Sequence, residues 1–366
     1  MPVDVAYLEV LVEPSLPPVL ERHGRPLASH HIVKVRHIDN RVRAGTVSKT
    51  DDLSDGHRPS PVPALFLAWG TPARVGLARW WVTFDFETSD LWWGRPRGRP
   101  GGTAVPTLET MTLDVADRVA RITFTRPDSL NSLTVQALDD LEAAIDAAVA
   151  DPDVRVLVIG GTGRAFTAGL DLALLDEAFA DPAVWERTAR RLVALTLRLE
   201  RLPMPVIASV NGLARAGGFE LLLACDLVLM ADSARVADAH AGFGLIPVGG
   251  STARLPRVVG RQRAKEIFLT GRWISAAEAV EFGLALKAVP AGELDAAVAE
   301  LATGLSRNSR AGMAAMKRQF AAGDGLPLAE AVTAEVEEFL SYVTAPDSDG
   351  REGFLAHREN RPPGWA

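Results

Sequence analysis

The chain holds 366 residues, 48% hydrophobic and 23% charged, with a net charge of −7. That balance excludes a wholly disordered chain, and no stretch approaches the roughly 18 apolar residues of a spanning helix. A single cysteine, Cys225, excludes an internal disulfide and a cysteine-rich metal site, so a cytoplasmic protein is expected.

Length alone suggests about two domains at about 150 residues each. Composition divides the chain near Met111. Residues 1–110 carry 12 of the 24 prolines, 5 of the 8 tryptophans and a charge of +1, whereas residues 111–366 carry −8. The opening residues lack a basic lead and a clean apolar run, so no signal peptide is expected. Short apolar runs in residues 1–110 are cut by proline, glycine and arginine, which read as largely irregular or linker sequence of no clear function. Pro96-Arg97-Gly98-Arg99-Pro100 resembles an AT-hook core, but the near-neutral segment and acidic body lack a basic footprint. No nucleic-acid or membrane partner is expected. Met111 is a candidate natural start, because globular patterning begins just after it.

From there, strands and helices alternate. Val119 to Thr125 alternates as a half-buried strand. Thr134 to Ala150 places Val135, Leu138, Leu141, Ile145 and Val149 at helical spacing, and Asp151-Pro152 stops it. Val154 to Ile159 reads as a strand covered on both faces. An irregular loop follows, then a helix through Trp185, Leu192, Leu195, Leu199 and Leu202. Val206 to Val210 reads as strand, Leu221 to Leu223 as helix and Asp226 to Met230 as strand. Ser275 to Glu278 has the capping-box pattern, with Gly283 closing that helix. Leu284 to Val289 reads as a last strand before helices at 291–307, 309–322 and 327–344. The alternation predicts an α/β fold with parallel strands, and the helical tail an appended α layer or an oligomer contact.

Several chemistries fail on spacing. The loop from Gly160 to Ala165 places Phe166 where a dinucleotide fingerprint needs glycine, and no phosphate-loop lysine follows. Gly249-Gly250-Ser251-Thr252-Ala253 is one residue short of a nucleophile elbow. Residues 111–366 hold only His240 and His357, so no metal site is expected.

Two glycine turns beside strands survive: Arg164 to Leu172, and Val210 to Glu220 leading into a helix. Glycine allows close backbone approach, and a helix start leaves N–H groups unpaired. Facing turns of this kind can aim two backbone donors at one developing oxyanion, with Glu220 adding a carboxylate.

The motifs Leu130-Asn131-Ser132-Leu133, Gly163 to Leu172, Pro205 to Gly212, Gly217-Gly218-Phe219-Glu220 and Gly244-Leu245-Ile246-Pro247 occur in order. With them, residues 111–366 resemble the enoyl-CoA hydratase/isomerase (crotonase) family. The resemblance implies a spiral of ββα turns, a C-terminal helical trimerisation region and a homotrimer or hexamer. It implies an acyl-CoA thioester as substrate, with no separate cofactor. It carries the oxyanion hole onto the N–H groups of Leu170 and Gly217, and the thioester-lining stretch onto Leu170, Asp171, Leu172 and Ala173. Leu170 stands where alanine is more usual, which narrows the acyl pocket. Hydratases of the family pair two glutamates. Glu220 matches the first, but the second falls on His240, a side chain that can also shuttle a proton, with Asp238 a weaker candidate. The expected activity is water addition to a 2-enoyl-CoA. The alternatives are another reaction through the same enolate, such as isomerisation, hydrolysis or C–C cleavage, and a non-catalytic CoA-ester binder.

Overall fold

The computed structural model describes residues 7–12, 33–38, 106–346 and 348–365. The chain divides between Arg95 and Pro96 into two units. In the first, β1 (Tyr7–Val12) pairs antiparallel with β2 (Val33–Ile38). The other calls on residues 1–105, including Pro96 to Pro100, lie outside the described residues.

The second unit is built on two sheets. The larger has six strands: β3 (Met111–Ala116), β4 (Val119–Phe124), β5 (Val156–Gly161), β7 (Val206–Val210), β9 (Leu227–Ala231) and β12 (Lys287–Val289). They lie in the order β12-β9-β7-β5-β4-β3, parallel except for β3. β5 and β7 are almost wholly buried, as their continuous apolar runs predict. The smaller sheet runs β11-β10-β8-β6, from β6 (Ala165–Thr167), β8 (Leu213–Arg215), β10 (Arg235–Ala237) and β11 (Ile274–Ser275). Each turn of the chain thus gives one long strand to the first sheet and one short strand to the second. This is the expected ββα spiral.

Helix α1 (Val135–Ala150) begins where the Thr134 side chain accepts the Ala137 N–H, and it buries Leu138, Leu141 and Ile145 against the sheet. Truncating one such buried leucine to alanine costs about 2–5 kcal/mol. The segment read as an irregular loop contains α2 (Leu172–Ala180), and α3 (Pro182–Arg201) follows it. α4 spans Gly217–Leu223, four residues longer at its start than the apolar run suggests. α5 (Ser251–Val259) and α6 (Arg261–Thr270) were not legible as helices. The capping box opens α7 (Ala276–Glu281). α8 (Leu294–Ser306), α9 (Arg310–Gly323) and α10 (Leu328–Val343) match the expected helical tail, which α11 (Gly350–Arg358) extends. α10 buries none of its residues.

The folded body reaches upstream of Met111. Asp140, buried on α1, accepts hydrogen bonds from the Glu109 N–H (2.9 Å), the Thr110 N–H (2.8 Å) and the Thr110 hydroxyl (2.7 Å). These bonds hold its carboxyl below the usual range, although burial alone would raise it. Among the described residues, no helix is long and apolar enough to cross a membrane.

Candidate active site

Three consecutive turns of the spiral leave the small sheet at the same end. β6, β8 and β10 are parallel, with Thr167 opposite Ala214 and Ala237 opposite Arg215. The residues just after them, 168–171, 216–220 and 238–240, are therefore neighbours in space although far apart in sequence.

The first turn is tied down by Asn131. Its side chain accepts the Arg126 N–H (2.9 Å) and donates to the Thr162 (3.0 Å) and Ala165 (2.8 Å) carbonyls. Leu133 donates its N–H to the Gly169 carbonyl at 2.8 Å, and Asp171 returns an N–H to the Leu133 carbonyl at 3.1 Å. Gly169 has φ +86°, and a Cβ there would lie 2.7 Å from the Gly217 nitrogen. Glycine is required on both counts. The two turns thus meet as the sequence predicts. A Cβ on Gly217 would in turn lie 3.7 Å from the Leu170 nitrogen. Ala216, at φ 50° and ψ −117°, is strained backbone for a residue with a side chain, and it aims Gly217 as the first residue of α4. An N–H at that helical position has no intrahelical acceptor.

Glu220 follows in the first turn of α4 and is fully buried. Its Oε1 accepts the backbone N–H groups of Val248 (3.0 Å) and Gly249 (2.6 Å). Its Oε2 has no hydrogen-bond partner. Burial pushes its pKa up, against the opposing pull of His240 and the two N–H donors. Gly249 allows this approach, since a Cβ there would sit 2.8 Å from Oε2 and 2.9 Å from Cδ. The Gly249 carbonyl is itself held by the Thr196 hydroxyl (3.1 Å) and by Arg254 (2.7 Å). Arg254 is fixed in turn by a two-point pair with Glu200 at 2.6 and 2.9 Å.

His240 stands in a one-turn 3-10 helix, His240–Phe243, after Ala239 in the left-handed region at φ 60°. That kink turns the ring back so that Nδ1 lies 2.9 Å from Asp238 Oδ1. Asp238 is 1% exposed, and its other oxygen accepts the Ser251 hydroxyl at 3.1 Å. Burial alone would lower the His240 pKa. The hydrogen bond and charge of Asp238, with the charge of Glu220, overcome that and raise it. Gly249 to Ala253 therefore serves as a scaffold: Gly249 holds Glu220, Ser251 holds Asp238, and Gly250 caps α5.

Glu220, His240, Leu170 and Gly217 all line one cavity of about 760 Å³. Its walls are largely apolar, supplied by Leu172, Phe179, Trp185, Phe243 and Ile246 among others. Phe179 and Trp185 meet edge to face, with ring centroids 5.4 Å apart. Asp171 and Ala173 are not among the lining residues. Asp171 caps α2, accepting the Ala173 N–H at 3.0 Å and the Ser132 hydroxyl at 2.6 Å. Sequence reasoning missed Arg215, Phe179 and Phe243. Only the short spacing from Gly217 hinted at Arg215. Among the described residues, no group of three or more His, Cys, Asp or Glu side chains could hold a metal ion.

Comparison with known proteins places this geometry. The family model described as "Enoyl-CoA hydratase/isomerase" matches residues 114–366. YngF of Bacillus subtilis, whose name assigns it to the enoyl-CoA hydratase/isomerases, is 36% identical over 251 residues, covering 67% of this chain and 93% of that protein. The crotonyl-CoA hydratase of Syntrophomonas wolfei is 33% identical over 256 residues, covering 69% and 96%. The crystal structure of an enoyl-CoA hydratase from Bacillus anthracis superposes with a TM-score of 0.66 at 32% identity, covering 70% of this chain and 99% of that one. From the matched length, the shared spiral and the ordered motifs, the chain belongs to the enoyl-CoA hydratase/isomerase (crotonase) family.

Proposed function

We propose that the protein is a hydro-lyase that adds water across the double bond of a 2-enoyl-CoA thioester. The observation that carries this reading is an unpartnered Glu220 Oε2 and an Asp238-backed His240 on residues that line the same cavity. Hydration needs two groups that can exchange protons on one face of the substrate. Two glutamates meet that need when they share one proton. A Glu220 carboxylate facing a protonated His240 holds the same number of exchangeable protons, and the Asp238 charge offsets the extra positive charge of the imidazolium.

In this mechanism the thioester carbonyl accepts the N–H groups of Leu170 and Gly217, which stabilise the enolate as charge moves onto oxygen. Glu220 Oε2 takes a proton from water as its oxygen bonds to Cβ. His240 gives a proton to Cα on the same face. Transfer of the proton from Glu220 to His240 restores the starting state. Leu170 and Leu172, which line the cavity at the entry to α2, flank the thioester, and Asp171 and Ala173 support them from behind through the α2 cap. No cofactor beyond the coenzyme A of the substrate takes part.

The test is Glu220→Gln assayed with crotonyl-CoA and longer enoyl-CoAs. Hydration falls by about 10²–10⁴-fold if Glu220 is the base, and unchanged hydration refutes the assignment. A panel of enoyl-, dienoyl- and β-keto-CoA esters followed by mass spectrometry distinguishes hydration from isomerisation or C–C cleavage. Binding of acetyl-CoA with no turnover of any ester would favour the non-catalytic alternative.

The same reading includes assembly into trimers or paired trimers in the cytoplasm. α10 exposes Val332, Val336, Phe339, Leu340 and Val343, and α9 exposes Phe320 at 82%. Apolar surface arranged this way supports contact with further copies of the chain. Val336→Asp is expected to lower the oligomer mass in light scattering.

A further inference from the structure

Among the described residues, Arg215 is a cation with no carboxylate partner. It ends β8, two residues before the Gly217 N–H, and it lines the cavity. Its Nε is buried and has no hydrogen-bond partner, and among the described residues no carboxylate pairs with it. Elsewhere in this body Arg191 meets Asp139 and Glu142, Arg254 meets Glu200 and Arg272 meets Glu266 and Glu278, while Arg126, Arg155 and Arg310 donate to backbone carbonyls away from the cavity. The ring of Phe243 lies 4.7 Å from the Arg215 guanidinium carbon. Stacking of that kind occupies the face of the guanidinium and leaves its in-plane N–H donors available. A partly desolvated cation in an apolar cavity is unfavourable until an anion joins it.

We propose that Arg215 selects acyl-CoA thioesters whose acyl chain carries a second carboxylate, bound by its guanidinium close to the reacting carbons. The inference rests on the reading of the cavity as an acyl-CoA site. Arg215 is the one lysine or arginine among the lining residues, while Asp176 and Glu186 line the wall made by α2 and α3. A carboxylate on the acyl chain is therefore repelled from that wall and drawn to Arg215. A phosphate of coenzyme A would also suit a guanidinium. However, the whole pantetheine arm separates the phosphates from the thioester, and Arg215 stands beside the oxyanion N–H. Its charge also opposes protonation of His240, as expected of a neighbour at the reacting end.

The experiment is calorimetric binding of glutaryl-CoA and butyryl-CoA to the full chain and to Arg215→Leu and Arg215→Lys. Both ligands are saturated, so the result does not depend on which reaction the enzyme performs. The wild type is expected to bind glutaryl-CoA about tenfold or more tightly than butyryl-CoA, the scale of a charge-assisted pair. Arg215→Leu removes that preference, and Arg215→Lys, which keeps the charge but not the planar fork, retains part of it. Equal wild-type binding of the two ligands overturns the inference while leaving the acyl-CoA site intact. Equal weakening of both ligands and of free coenzyme A by Arg215→Leu makes it a phosphate contact and also overturns it. Binding of neither ligand to the wild type removes the acyl-CoA reading and this inference with it.

Discussion

The surroundings of Glu220 and His240, the two groups proposed to handle protons, are built in opposite ways. Glu220 is fully buried in the first turn of α4, and two backbone N–H groups grip one of its oxygens. His240 lies in a 3-10 turn none of whose residues is buried, and it depends on a single side chain, Asp238, for its orientation. At Glu220 the backbone fixes the carboxylate. At His240 a buried carboxylate reaches out to a surface turn. In the proposed mechanism, the contrast teaches that a histidine can serve in place of a second glutamate where a side-chain brace is at hand, whereas Glu220 sits in a socket shaped for a carboxylate.

Four substitutions break or sharpen this contrast. Glu220→Gln is expected to have the largest effect, the loss of about 10²–10⁴-fold in hydration set out above, because its socket has no substitute base. Gly249→Ala comes next. Its new Cβ would press on the Glu220 carboxyl, and a displacement approaching 1 Å costs about 10²-fold in kcat. Near-wild-type kcat in that variant would show the socket to be tolerant. His240→Ala is expected to lose at least about 10²-fold, and a loss under about threefold would make His240 structural.

Asp238→Asn has the smallest expected effect on the maximal rate, about tenfold, and its signature is a pH shift. In the proposed mechanism protonated His240 is the Cα acid, so kcat/KM is expected to fall as pH rises through its pKa. Asp238 raises that pKa, so the variant's alkaline limb moves to lower pH. The acid limb, where Glu220 gains its proton, stays above the ordinary carboxylate range because burial dominates it. An unmoved alkaline limb would sever Asp238 from His240.

The same contrast explains what was legible in the sequence. The glycine turns around Leu170 and Gly217 announce themselves because close backbone approach demands glycine at 169 and 218. A Cβ on Gly218 would sit 2.2 Å from the Thr167 carbonyl oxygen. The Asp238–His240 brace was faint. It depends on Ala239 adopting a positive φ, which alanine does not advertise. α2 was missed because only Leu174 and Ala178 face the core, so its apolar side lines the cavity and shows no core-facing stripe. α5 was hidden by Pro256 inside it. Three-residue strands such as β6, β8 and β10 are too short to show alternation, yet they set the register of the whole site.

The grip of Val248 and Gly249 on Glu220 has a stereochemical consequence. With Oε1 committed to two N–H groups, Oε2 is the oxygen left to take a proton from water in the proposed hydration. Water activated by one oxygen at one fixed point reaches a flat alkene from one side only. If the proposed hydration holds, the 3-hydroxyacyl product carries a single configuration at Cβ, and loosening the loop at Gly249 costs enantiomeric purity as well as rate.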